Sequence, residues 1–255
     1  MNFQTVSTAQ KLPMSRTKGM GGMVVTAAGG YLADGATPGP VLSNALDFID
    51  QSLKKMVDAL KSSGIFESTA IIVSAKHGQS PMNLAALNRI DDGQIIDDLN
   101  AAWKSSHQAG IPNARPLVAQ GTDDDGMLLW LNDRSKTATD FAANFLMNYN
   151  YPTGINSMGM VVSVDGKPVT SAGLYQVYAG AAAARLIGVD QSDPRVPDVI
   201  GIAQYGVVYT SHKAKIAEHG GDHLEDRNVP ILLVRPGAIA KAVGGTAVTA
   251  PVETT

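Results

Sequence analysis

Ser68-Thr69-Ala70-Ile71-Ile72-Val73-Ser74-Ala75-Lys76-His77-Gly78-Gln79-Ser80-Pro81 is the stretch on which the fold turns. From Thr69 to Ala75 the residues are almost all apolar and often β-branched, without alternation. That is the pattern of a central strand buried on both faces. The run stops abruptly at the polar loop Lys76–Pro81. Upstream, Val41, Leu42, Ala45, Leu46, Ile49, Leu53, Met56, Val57 and Leu60 recur at helical spacing, with Asp47, Asp50, Lys54, Lys55 and Lys61 on the other face. Pro40 suits the first turn of this helix and Gly64 its end. Helix, short loop, buried strand and polar loop make half of an α/β unit. Ligands in such sheets sit at the carboxyl ends of strands, where Lys76 and His77 lie.

A second loop of the same kind follows late in the chain. Val199–Ile202, Gly206–Thr210 and Val229–Val234 are apolar and β-branched, and the last two bracket Glu218-His219-Gly220-Gly221-Asp222-His223-Leu224-Glu225-Asp226. Imidazole and carboxylate together suit a divalent metal when cysteine is absent. Gly220-Gly221 argues against a helix carrying both histidines and instead suggests backbone that approaches something closely.

The rest of the chain is less telling. Residues 1–40 lack sustained periodicity and read as an extended loop. Within residues 82–195, helices are expected over Asp97–Gln108, Ser135–Tyr149 and Ala179–Ile187. In the second of these Ala138, Phe141, Ala142, Phe145 and Leu146 face inward. Pro116–Ala119 and Met127–Leu131 read as strands about the turn Asp123-Asp124-Asp125-Gly126, whose acids are expected to be solvated. A further hairpin is expected around Asp165-Gly166. His107 and His212 read as surface residues, Trp103 and Trp130 as core, and Gly19–Gly22 as a flexible loop.

Bulk properties narrow the function. The net charge is −3 with no basic run, which disfavours a polymeric nucleic acid but leaves small phosphorylated substrates open. There is no cysteine, so no disulfide or thiolate metal site arises. No stretch suits a membrane span. The opening Met1–Val6 lacks the basic and apolar regions of a signal peptide.

The run 68–81 resembles the strand and loop that in type I phosphodiesterases and nucleotide pyrophosphatases, members of the alkaline phosphatase superfamily, reads "T-x-hydrophobic-SDHG". Lys215–Gly221 followed by Glu225–Val234 is similar to that superfamily's late "HGG…ED..VP" segment. Asn2-Phe3-Gln4, the helix from Leu42, and the segment from Pro197 through Thr210 fit bacterial and fungal members. The resemblance implies a three-layer αβα sandwich of the alkaline phosphatase type, incomplete at its N-terminal side, with an inserted α+β cap-like region. Its expected parts are residues 1–81 in the catalytic core, 82–195 as the insertion, 196–237 returning to the core, and 238–255 as a tail.

The same resemblance implies a metal-dependent hydrolase of phosphate mono- or diesters, nucleotide-derived ones included. Zinc is the first expectation for the metal, with manganese and calcium as alternatives. His77 and His219 match metal-ligand positions, and Asp34 is the acidic candidate in the loop before the helix. Asp47 and Asp50 read as solvated. Lys76 stands where the familiar motif has an aspartate. An ammonium cannot ligate a cation, so Lys76 is read as facing substrate phosphate, a subfamily feature. The aspartate ligand and Thr or Ser nucleophile of the superfamily's N-terminal half have no recognisable counterpart, so a fragment is expected. Relatives of this kind are often periplasmic or secreted. The rival reading is a non-catalytic domain of the same fold that binds a phosphorylated ligand or protein partner.

Overall fold

The computed structural model describes residues 2–18, 24–150, 163–211 and 214–236. The chain divides into two compact units, Met1–Gln79 with Leu224–Thr255, and Ser80–His223. The class is α/β, as the sequence suggests. Among the described residues no helix is long and apolar enough to cross a membrane.

In the first unit a short helix, α1 (Thr5–Lys11), precedes an antiparallel pair, β1 (Met14–Lys18) and β2 (Val24–Ala28), with Met14 opposite Ala28. The expectation of an irregular opening is therefore corrected. A seven-residue helix without a side-chain cap and two five-residue strands are too short to show a period, and pairing rather than pattern defines them. Helix α2 (Pro40–Ser62) starts at Pro40, and Gly64 beyond it has φ of 72°, the left-handed stop expected there. Its apolar stripe closes at the N-terminal end, where Leu42 and Ala45 are buried with Ala9 against Val6, Tyr31 and Val41. Gly39 lets this end approach β2, since a Cβ there would lie 2.9 Å from the Ala28 carbonyl oxygen.

Strand β3 (Ile71–Ser74) pairs antiparallel with β10 (Ile231–Val234), Ile72 opposite Leu233. The sequence led us to expect burial on both faces. Instead Ile72 is 68% and Leu233 61% exposed. A strand's apolar character records the environment it suits, whereas its burial depends on what covers it, and among the described residues one strand pairs with it. The one-turn helix α6 (Leu224–Arg227) leads into β10.

The second unit holds the larger core. Its sheet is antiparallel in the order β5 (Val118–Asp123), β6 (Gly126–Leu131), β8 (Val199–Ala203), β7 (Leu174–Ala179). Helices α3 (Asp92–His107) and α4 (Lys136–Asn148) join the same cluster. Each is capped by a side chain, Asp91 accepting from the Gly93 amide and Ser135 from that of Ala138. Along β6 burial alternates, sending Met127, Leu129 and Leu131 into the core beside Ile95, Leu99, Ala142 and Leu146. Trp103 is buried, and the exposed His107 ring stacks on it at 3.9 Å. Strands β4 (Asn88–Ile90) and β9 (Val207–Tyr209) form a parallel pair, and α5 (Ala181–Leu186) is shorter than expected.

Strand β8 lies between β6 and β7, within the unit that runs from Ser80 to His223. A uniformly apolar run announces a buried strand without naming its neighbours. Part of the hairpin expected near Asp165, together with Gly19–Gly22, His212 and the tail from residue 238, lies outside the described residues.

Candidate metal centre

The turn between β5 and β6 is held from several sides within the second unit. The Asp124 amide donates to the Gly126 carbonyl (3.1 Å), and its own carbonyl accepts from the Tyr209 amide (2.9 Å). Asp125 is buried; its amide donates to the His219 carbonyl (3.2 Å), and its carboxylate accepts from the Ser80 hydroxyl (3.1 Å). Ser80 and Glu218 exchange two backbone hydrogen bonds of 2.9 Å, fixing the segment that carries His219. The close approach expected at Gly220 is absent, since a Cβ there would meet nothing within 4 Å among the described residues, and its left-handed backbone accounts for the glycine instead. A Cβ on Gly126 would lie 3.2 Å from the Gly220 carbonyl oxygen, and Gly220 has φ of 99°.

These constraints bring one ligand atom each of Asp124, Glu218 and His219 within 4.8 Å of one another. Glu218 is almost wholly buried, with 1% of its side chain exposed, while Asp124 and His219 are about one-third open. Two carboxylates and an imidazole, with no thiolate, are the donors that zinc or manganese takes. Lys215 is already at this cluster. Its ammonium contacts the Glu218 carboxylate and lies 3.8 Å from that of Asp124. Partial burial pulls the Lys215 pKa down, but the Glu218 contact and the Asp124 charge outweigh it and leave a net rise.

A second carboxyl pair adjoins the first. Burial, then the charge of Asp92, pushes the Asp123 carboxyl up to about 8. Asp92 is also raised, chiefly by burial, while its hydrogen bond with Asp123 acts the other way. The acid triplet, expected as a solvated hairpin end, is instead an anchored and partly buried group.

Of the residues singled out from sequence, His219 belongs to this cluster. His77, Lys76 and Asp34 belong to the first unit. There the His77 ring is half-buried, with Nδ1 2.8 Å from the Gly78 carbonyl oxygen, and Lys76 is exposed. The Gly78 amide donates to the Asp226 carbonyl (2.6 Å), and a Cβ on Gly78 would lie 1.9 Å from that of Glu225. The Asp34 carboxylate accepts from the Ala36 and Thr37 amides at 3.0 and 2.9 Å and from the Thr37 hydroxyl. The hydroxyl contact, then the amides, lower its pKa to about 2. His223 lies in the second unit, with Nε2 3.1 Å from the Ala203 carbonyl oxygen. Glu218 escaped the sequence reading as a ligand, and Asp124 was set aside there as part of a solvated turn. The signal for Glu218 was its place beside His219, and for Asp124 the acid triplet itself.

Among solved structures the chain is similar to human ectonucleotide pyrophosphatase/phosphodiesterase 5, with 14% identity, a TM-score of 0.46, and coverage of 86% of this chain and 52% of that one. An inactive variant of the murine protein in complex with AMP gives 14% identity and a TM-score of 0.45, covering 77% of this chain and 42% of that one. Phosphonoacetate hydrolase from Sinorhizobium meliloti 1021, in complex with phosphonoacetate, gives 15% and 0.42, covering 76% and 41%. The chain thus spans about half or less of the length of these structures. At these scores the likenesses carry no weight for the chemistry of this chain. Among curated proteins no sequence matches significantly. The family model for type I phosphodiesterase / nucleotide pyrophosphatase matches residues 33–224, a span that takes in both His77 and His219. On that match over most of its length, the chain belongs to the type I phosphodiesterase / nucleotide pyrophosphatase family.

Proposed function

We propose that this chain is part of a metal-dependent hydrolase of phosphate mono- or diesters, nucleotide-derived esters among them. The observation that carries the reading is the convergence of Asp124 and Glu218 on His219, the histidine of the family-like "HGG" segment. These three residues would hold a divalent ion, with zinc first and manganese or calcium as alternatives. Such an ion polarises phosphoryl oxygens and stabilises the charge that develops on the leaving oxygen. The chain's own part is to fix the donors. The Ser80–Glu218 backbone pair sets the His219 segment, and the hydrogen bonds about Asp124 set the facing turn.

His77 and Asp34 are proposed as further ligands on the motif resemblance alone, and Lys76 as a positive charge for substrate phosphate. An ion at Asp34 would compete with the donors of its own turn. The exposed apolar side chains of β3 and β10 fit a core sheet that continues in polypeptide not present here, so we propose that the nucleophile lies in such a segment. The rival reading, a non-catalytic domain that binds a phosphorylated ligand or a protein, is favoured by Lys76 standing in place of an acidic ligand.

Phosphatase and phosphodiesterase assays on the 255-residue chain with added Zn2+ or Mn2+ test the fragment reading, which expects no turnover. Turnover that disappears in His219→Ala would refute it. Metal analysis by mass spectrometry tests the ion separately. A stoichiometric metal lost on His219→Ala supports the hydrolase, and its absence favours the rival.

A further inference from the structure

The geometry points to Lys215 as a built-in counter-cation that occupies the Asp124–Glu218–His219 donor set and must leave before a divalent ion enters. This rests on the metal-site reading above and adds a control element to it. The ammonium of Lys215 contacts the Glu218 carboxylate and faces that of Asp124 at 3.8 Å, so it engages two of the three donors. Lys215 Nζ takes Oε1 of Glu218 while His219 Nε2 faces Oε2 at 3.9 Å, so the conflict is one of charge: an ammonium and a divalent ion at one partly buried site repel strongly.

Burial gives the occupant a role. With 1% of its side chain exposed, the Glu218 carboxylate would be costly to leave without a cation. Lys215 provides one while the donor set holds no metal. Its side chain is 39% exposed, and its four-carbon stem leaves a route by which the head group can swing into water when an ion takes over. The Arg89 guanidinium donates to the Lys215 carbonyl at 3.4 Å, a tie to the backbone that does not involve the ammonium. Metal affinity is therefore reduced by the work of displacing the lysine, and the centre fills only above a threshold of free ion.

Calorimetric titration of the full chain with Mn2+ and then Zn2+ tests this, using wild type, Lys215→Met, Lys215→Arg and His219→Ala. Losing a charge-assisted contact that competes with the ion should tighten binding by about tenfold or more in Lys215→Met. Lys215→Arg, which keeps the charge, should stay near wild type, and His219→Ala should not bind. Without metal, Lys215→Met should also unfold at lower urea than wild type, with the gap closing as Mn2+ is added. If Lys215→Met binds no tighter than wild type while His219→Ala abolishes binding, the lysine exchange is overturned and the metal site stands. If neither wild type nor Lys215→Met binds either ion, both fall. Lys215→Gln, neutral and still polar, provides the same reading should Lys215→Met fail to fold.

Discussion

Arg89→Met should remove a largely buried ion pair in the second unit. Arg89 on β4 and Asp165 each have 11% of their side chains exposed. The guanidinium grips the carboxylate twice, Nη2 to Oδ1 at 2.5 Å and Nε to Oδ2 at 2.9 Å, while the Arg89 amide donates to Oδ2 at 2.8 Å. Methionine fills similar volume but leaves Asp165 with a largely buried charge and backbone donors. Breaking one side of such a pair costs about 3–5 kcal/mol. The surviving amide contact argues for about 3 kcal/mol, or a fall in Tm of roughly 10 °C in a unit of this size. Urea unfolding followed by tryptophan fluorescence reads this unit selectively, because both tryptophans, Trp103 and Trp130, lie in it. The double variant Arg89→Met/Asp165→Leu, with no charge left to bury, should recover most of the loss, giving a coupling of about 2 kcal/mol in the thermodynamic cycle. A loss below about 1 kcal/mol for Arg89→Met, or no recovery in the double variant, would refute the reasoning, because the pair would then behave as a solvated one.

Gly78→Ala would force a Cβ to 1.9 Å from the Glu225 carbonyl oxygen, so the first unit should lose about 1–3 kcal/mol or more and its Lys76–Gln79 loop should become sensitive to trypsin. Asp123, with its folded pKa raised to about 8, keeps a proton that the unfolded chain releases near pH 4. Its contribution is therefore fully present below about pH 4, falls as pH rises to about 8 and is flat beyond. Urea midpoints measured with chelator present should show that slope in wild type and lose it in Asp123→Asn. Asp34 has the opposite sign: its pKa of about 2 makes its turn contribution present above about pH 4 and lost as pH falls through 2, an effect that proton-exchange rates at Thr37 should follow and Asp34→Ala should abolish. On the exposed β3–β10 face, Ile72→Ser with Leu233→Ser should reduce self-association in light scattering without lowering the tryptophan-detected midpoint. Unchanged scattering would mean that this face does not drive association.

Much of the local structure was legible. The stripe from Val41 to Leu60 marked α2, with Pro40 and Gly64 as its ends, and the inward set Ala138, Ala142 and Leu146 marked α4. Those elements are long enough for side-chain periodicity to accumulate. The short α1 and the β1–β2 pair were missed because few residues carry any pattern there. Strand β7 was missed because its half-exposed residues do not alternate cleanly. At the site, His219 was singled out because Lys215–Gly221 resembles the superfamily's late "HGG" segment, not because of any local pattern. The acids of the β5–β6 turn were misread because polar turns are usually solvated, and only the segment folded against them makes these partly buried.

The sequence by itself determined the α/β class, the main helices, the β5–β6 hairpin and the family, all of which follow from residue types at short range or from motif order. Tertiary structure alone decided that β8 lies between β6 and β7, that β3 and β10 leave Ile72 and Leu233 exposed, and that Asp124 meets Glu218, His219 and Lys215. The physical reason is the same each time. Periodicity tells a segment which side to bury and turn residues tell it where to bend, but partners distant in the chain are chosen by pairing and packing that no local pattern encodes. A carboxylate's charge, its proton and its fitness to hold a cation depend on those partners.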